Sequence, residues 1–386
     1  MKKVAVLFGG KSVEHEVSII TGMQVMENMD KSKYEPIPIY ITKEGKWLSH
    51  PEFTDFKVFK NKETEKGMEV FFRPGMGNTL YTEQISSGGL FGKKGKELTP
   101  YETIDIVFPA LHGTFGEDGS VQGYLDLIDL PYVGCGVLAA SVGMDKILMK
   151  EAFRGLDIPL LPYTWCFRST WETNKEEIKK DIEKLGYPVF VKPSNLGSSI
   201  GITKVNKTEE LEEAMELAMS YDRKVIIEKG AKNPRELNMA VLGYEDHMET
   251  SEVEEPELAK DLLDYESKYM SGNKNKGKQK RKIPADVPEQ IVKEMEKYAI
   301  LAMKAIDGMG TARIDFLLEE EKLYVNEINT LPGSIAFYLW EGKGLEMKDL
   351  ITKLLEGAEE RSKQRKNTMY HYDVNLLELT TYGSKL

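Results

Sequence analysis

Arg313, Asp315, Glu327 and Asn329 are the residues whose types and spacing bear most directly on chemistry. They fall in two alternating runs, Ala312 to Leu318 and Leu323 to Asn329, on either side of an acidic turn at Glu319 to Glu321, a pattern that predicts a β-hairpin. Side chains two apart on a strand share a face, so Arg313 goes with Asp315 and Glu327 with Asn329. Two carboxylates and an amide oxygen converging from paired strands make an all-oxygen site for a hard cation, of the kind magnesium uses when it also binds phosphate. Arg313 would then face developing negative charge. Spacing alone leaves open an ordinary surface hairpin with solvated charges. The run Asn329-Thr330-Leu331-Pro332-Gly333-Ser334 breaks the strand and offers backbone N–H groups beside the cation site.

A second chemical stretch runs Lys192-Pro193-Ser194-Asn195-Leu196-Gly197-Ser198-Ser199-Ile200-Gly201. Small residues let backbone N–H groups approach phosphate oxygens, hydroxyls add donors, and a lysine at the strand end supplies a point charge. No Gly-Lys-Ser/Thr closes it, so it is not a P-loop. Ile202 to Val205 returns as a strand, making the loop a hairpin lid; a plain Ser/Gly turn is the alternative. Lys146 and Lys150 stand at helix-neighbour spacing, where lysines are ordinarily solvated. The run Gly272 to Lys282 has no core-forming residue and reads as a solvated loop, or as a lid whose lysines approach ligand phosphates on closing.

The elements that must carry these residues follow from the hydrophobic pattern. Val4 to Phe8 is a buried strand ending in Gly9-Gly10, followed by a helix from Val17 to about Met29, with Glu14 and His15 just before it. Asp105 to Leu111 is another strand, stopping at His112-Gly113 through Gly119, a glycine-rich turn where open α/β sheets bind ligands. A single helix is expected over Val137 to Arg154. Strands are expected at Trp165–Phe167, Pro188–Lys192, Lys224–Glu228 and Leu237–Leu242, and helices at 174–185, 207–220, 288–306 and 346–366. Residues 249 to 270 are acidic and poorly periodic.

Composition narrows the classes. A chain of 386 residues with 41% hydrophobic and 30% charged residues is expected to form two or three globular domains. A net charge of -11 argues against nucleic acid as a partner, so a nucleotide would be a small ligand. Only Cys135 and Cys166 are present, which rules out a disulfide framework and points to a reducing, cytoplasmic setting. The apolar run after Met1-Lys2-Lys3 is too short for a signal peptide, and no run approaches membrane-spanning length.

Seven motifs stand in one order: Glu14-His15-Glu16-Val17-Ser18, His112 through Gly119, Met144-Asp145-Lys146, Lys192 through Gly201, Asp264 through Tyr269, Gly310 through Asp315, and Asn326 through Gly333. In this order the chain resembles the D-alanine-D-alanine ligases of the ATP-grasp superfamily over about residues 1 to 360. The resemblance implies an α/β (α+β) ATP-grasp fold. Its parts would be an open α/β N-terminal substrate domain at 1–125, a small central nucleotide domain at 126–235 and a C-terminal metal and catalytic domain at 236–365. A tail of unread role, 366–386, would follow.

By the same resemblance ATP meets Lys146, Lys192, Ser199, Glu228, Lys229, Ala231 and Glu236, and two magnesium ions, or manganese, meet Asp315, Glu327 and Asn329. Glu14, with Ser198 and Tyr269, orients the first D-alanine; Arg313 and the Gly333 N–H stabilise the oxyanion; His112, Lys268 and Ser334 contact substrate. The implied reaction makes D-alanyl-D-alanine for peptidoglycan through an acylphosphate, with ADP and phosphate released, in a homodimer. Tyr269 resembles the dipeptide-forming members, since relatives making the D-alanyl-D-lactate ester have histidine in this loop. Gly333 runs into Ser334 across a shortened loop, which keeps a D-alanyl-D-serine or D-alanyl-D-lactate product as the alternative. A nucleotide-binding protein without catalysis is the third.

Overall fold

The structure is a computed structural model that describes residues 1–86, 95–197, 199–256, 281–370 and 372. Of the motif residues above, Ser198, Lys268, Tyr269 and nearly all of the 272–282 run lie outside the described residues.

Strands β1 (Lys2–Gly9), β2 (Tyr34–Ile41) and β3 (Ile106–Pro109) are parallel, with β1 in the middle. Short antiparallel strands at Trp47–Ser49 and Met68–Glu69 extend the β2 edge. Val4 to Phe8 are all fully buried, because a central parallel strand is covered on both faces. Val4, Val6 and Phe8 pack toward α1 (His15–Asn28), while Ala5 and Leu7 pack with Val121 and Leu125 of α2 (Ser120–Leu127).

Helix α3 (Val137–Met144) is followed at once by α4 (Lys146–Arg154). The single helix expected there is two, because Asp145 takes an extended conformation, and its Oδ1 accepts from the N–H groups of Ile147 and Leu148 at 3.1 and 3.2 Å to cap the second. Lys146 thereby stands at a helix start.

A second, antiparallel sheet has the order β6-β5-β7-β4, built from β4 (Tyr163–Phe167), β5 (Val189–Pro193), β6 (Thr203–Val205) and β7 (Lys224–Lys229). Its core is covered by α5 (Arg168–Leu185) and α6 (Leu211–Tyr221).

The third sheet orders β9-β8-β10-β11, from β8 (Arg235–Tyr244), β9 (His247–Pro256), β10 (Gly310–Glu319) and β11 (Lys322–Asn329), with the short strand Arg281–Lys282 outside β9, all antiparallel. The first eight residues of the acidic 249–270 stretch, with His247 and Met248 before them, thus form a strand. Alternation is hidden there because Ser251, Val253 and Glu254 are all buried. Helix α7 (Glu289–Ala305) covers this sheet's core together with Met149 and Phe153 of α4.

The hairpin carries a detail the alternation does not contain. Opposite partners run Phe316 with Val325 but Asp315 with Glu327, so Asn326 is the extra residue of a bulge. Without it, Glu327 and Asn329 would share the core face with Leu323 and Val325. The one-residue slip moves both to the face of Arg313 and Asp315.

After Pro332 the chain makes a 3₁₀ stretch, Gly333–Leu339, in which Ser334, Ile335 and Ala336 have φ of 52°, 49° and 52°. Left-handed L-residues cost about 1–2 kcal/mol each. Ile335 and Ala336 are fully buried, with Leu339 and Trp340, in the core shared by β1, α1 and α8 (Met347–Lys366). This packing brings the turn after the hairpin onto the N-terminal sheet.

Candidate active site

Glu14 stands at the start of α1, where its carboxylate fits between two glycines. A Cβ on Gly113, which has φ +71°, would lie 2.8 Å from Glu14 Oε2, and one on Gly197 would lie 3.2 Å away. The glycine-serine loop therefore comes down on Glu14 at Gly197. Lys146 fixes that loop from below: its N–H donates to the Ser194 carbonyl at 3.0 Å, and its Nζ donates to the Leu196 carbonyl at 2.9 Å.

Glu14, His112, Lys146, Gly197, Arg313, Glu327, Asn329 and Gly333 line one cavity of about 160 Å³, where the three sheets meet. Asp315 joins it through its partners. Arg313 donates to it twice, Nε to Oδ1 at 2.7 Å and a terminal nitrogen to Oδ2 at 2.9 Å, while Asn329 Nδ2 donates to Oδ2 at 3.1 Å. Burial works against the charge of Arg313, but Asp315 outweighs it and holds the guanidinium above its ordinary pKa. Lys146 Nζ is 3.7 Å from Glu327 Oε2. Each carboxylate of the proposed metal set thus has a protein cation beside it.

The donor set fits a hard cation: two carboxylates and an amide, all capable of offering oxygen. Among the described residues no group of three or more His, Cys, Asp or Glu side chains is placed to hold a metal; the third member of the expected set is an amide, Asn329. The set belongs to a longer row, since Glu254, Asn238, Asp315 and Glu327 are successive opposite partners on four adjacent strands. Glu254 is buried, accepts from Asn238 Nδ2 at 3.1 Å and lies 3.2 Å from the Tyr338 hydroxyl.

His112 lines the cavity, yet both its ring nitrogens are engaged. Nδ1 lies 2.9 Å from the Leu331 carbonyl, so it carries the proton, and Nε2 accepts from Thr21 Oγ1 at 2.8 Å. Thr21 Oγ1 in turn accepts from the Ser334 N–H at 3.1 Å. Burial lowers the His112 pKa, in keeping with a neutral ring. The imidazole latches the Pro332-Gly333 turn to the N-terminal sheet. Ser334, one residue on, is not part of the cavity lining.

Glu117 was missed among the site residues, although it sits in the quoted glycine-rich turn. It accepts from the N–H groups of Gly113 at 2.7 Å and Leu331 at 3.1 Å, clamping the same two segments. Burial, then the charge of Glu14, pushes its pKa up to about 8. The signal for it was positional: an acid inside a ligand-binding turn.

Of the remaining expected ATP residues, Lys192 and Glu228 form a second group. Glu228 is buried on β7 between two lysines, with Lys192 on Oε2 and Lys150 at 2.8 Å from Oε1. Burial opposes the charge of Glu228, but the two lysines hold its pKa down at about 2. The expectation of solvation fails for Lys150, which is 2% exposed. Lys192 also feels the charges of Glu327 and Glu236. Lys229, Ala231 and Ser199 lie outside the cavity lining; the Lys229 N–H donates to the Pro162 carbonyl at 2.8 Å, and Ser199 has φ +59°.

Two family models match the chain, D-ala D-ala ligase N-terminus over residues 3–135 and D-ala D-ala ligase C-terminus over 152–356. D-alanine--D-alanine ligase of Macrococcus caseolyticus is 42% identical over 376 residues, covering 96% of this chain and 99% of that protein. The enzyme of the same name from Acetivibrio thermocellus is 42% identical over 372 residues, covering 93% and 96%. Among solved structures, the D-alanine-D-alanine ligase from Coxiella burnetii aligns with a TM-score of 0.78 at 28% identity, covering 95% and 96% of the two chains. The D-Ala:D-Ser ligase from Enterococcus faecalis aligns at 0.74 and 30% identity, covering 92% and 99%. Sequence, both family models and the arrangement of three sheets around one cavity agree that this chain belongs to the D-alanine-D-alanine ligase family, with the ATP-grasp fold.

Proposed function

We propose that the chain is an ATP-dependent ligase that joins two D-alanines into D-alanyl-D-alanine for peptidoglycan precursor synthesis. The observation that carries this is the single cavity in which Glu14, Lys146, Arg313, Glu327, Asn329 and the Gly333 turn converge from three sheets.

In this reading Glu14 holds the ammonium of the first D-alanine. A carboxylate oxygen of that D-alanine attacks the γ-phosphorus of ATP, the bond to the bridging oxygen breaks, and ADP leaves. The amine of the second D-alanine, having given up a proton, then attacks the acylphosphate carbonyl. Arg313 and the Gly333 N–H stabilise the resulting oxyanion, and the intermediate expels phosphate as the carbonyl reforms. Lys146 and Lys192 disperse charge on the transferred phosphoryl group, and Glu236, Lys229 and Ala231 serve the nucleoside end. Asp315, Glu327 and Asn329 would hold magnesium, which supplies charge neutralisation at the phosphates when bound. Ser198, Lys268 and Tyr269 belong to this reading by resemblance alone.

The domain boundaries at residues 125, 235 and 365 and a cytoplasmic homodimer are part of the same proposal. No helix among the described residues is long and apolar enough to cross a membrane. Leu127, Leu138 and Leu148, 78%, 60% and 51% exposed on α2, α3 and α4, supply apolar surface for a second copy.

A D-alanyl-D-serine product is the second reading, favoured by the 30% identity to the D-Ala:D-Ser ligase and by the short left-handed turn after Gly333. The test is identification of the product from ATP, magnesium and a mixture of D-alanine, D-serine and D-lactate. D-alanyl-D-alanine as the major product is expected; a mixed dipeptide or depsipeptide as the major product would replace the first reading with the second.

A further inference from the structure

Lys150 is one of the largest fully buried side chains of the molecule, and nothing in the reaction above uses it. Its Nζ sits between two elements that do take part. It lies 2.8 Å from Glu228 Oε1 on β7 and donates to the Asn326 carbonyl at 3.0 Å, at the bulge that turns Glu327 and Asn329 toward the cavity. Glu228 Oε2 is held at the same time by Lys192. A buried carboxylate with a single cation would resist giving that cation up, since an unpaired buried charge is costly.

We propose that Lys150 is a standing counter-ion for Glu228: it keeps the carboxylate neutralised when Lys192 turns to the nucleotide phosphates, and so sets ATP affinity without touching ATP. This rests on the reading of Lys192 as a phosphate ligand. Lys150 is a positioning residue in this arrangement, acting through Glu228. Two cations share the one carboxylate, so Glu228 keeps a counter-charge when Lys192 turns away. Burial lowers the Lys150 pKa and Glu228 opposes the fall, so the pair depend on each other for their charges.

The test measures binding of magnesium adenylyl imidodiphosphate by calorimetry, with KM for D-alanine alongside. Lys150→Met is expected to weaken nucleotide binding by about 30-fold or more, the scale of losing one partner of a buried charge pair, with KM for D-alanine within about twofold. The double variant Lys150→Met/Glu228→Gln removes the charge that holds Lys192 back and is expected to bind magnesium tripolyphosphate, which lacks the nucleoside that Glu228 is expected to meet, several-fold more tightly than Lys150→Met alone. Lys150→Gln keeps a donor for the Asn326 carbonyl without the charge, so it carries the same test if the methionine variant does not fold. Nucleotide affinity equal to the parent's in Lys150→Gln would overturn the proposal, as would a double variant no tighter than the single one. A fall in D-alanine affinity and nucleotide affinity alike would reduce Lys150 to a structural role. Unchanged binding in Lys192→Met would remove the reading beneath it, and the proposal with it.

Discussion

Arg313→Ala is expected to lower kcat by about two to three powers of ten, or about 2.7–4 kcal/mol, the cost of removing one oxyanion donor from a preorganised site. Nucleotide affinity should change far less. The reason is the position of the guanidinium: it lines the cavity and is carried there by a strand whose next same-face residue is Asp315. In the structure it lies across both Asp315 oxygens, at 2.7 and 2.9 Å, so it is held rigid and charged before substrate arrives. Steady-state kinetics with ATP and D-alanine varied separately checks this, and an unchanged turnover number would refute the role.

Glu327→Gln is the second large effect. The substitution keeps shape and one oxygen but removes the charge that balances a divalent cation. Changing residues that merely support a metal ligand costs 10- to 100-fold in metal affinity, so the magnesium needed for half-maximal rate should rise by about 100-fold. Lys146, 3.7 Å away, would lose its anionic neighbour and make the local field still less favourable to a cation. A magnesium titration of parent and variant is the measurement. Rates that do not depend on magnesium in either protein would remove the metal proposal.

Much of this site was legible in the sequence because alternation is a strong signal in a hairpin. Arg313 and Asp315 lie on the face expected of them, and Asp315 stands opposite Glu327. The bulge at Asn326 was not legible from strict alternation, though the spacing of Leu323, Val325 and Ile328, all buried, carries its trace. The resemblance supplied Glu14 and Gly333, whose closeness depends on folding Ile335 and Ala336 into the N-terminal core. Two residues escaped for a shared reason. Lys150 and Glu117 are charged groups on local patterns that usually face solvent, and only tertiary packing pairs them, Lys150 with Glu228 and Glu117 with the backbone of Gly113 and Leu331. The helix break at Asp145 was concealed by the unbroken apolar pattern on either side; its capping side chain, before Lys146, was the available clue.

The fate of a carboxylate oxygen tests the central claim most directly. D-alanine labelled with oxygen-18 in its carboxyl group, incubated with ATP, magnesium and this protein, should release phosphate carrying one labelled oxygen, because that oxygen attacks the γ-phosphorus and departs with it. Phosphate free of label, formed at the same rate as dipeptide, would contradict the transfer of a phosphoryl group to substrate in this cavity.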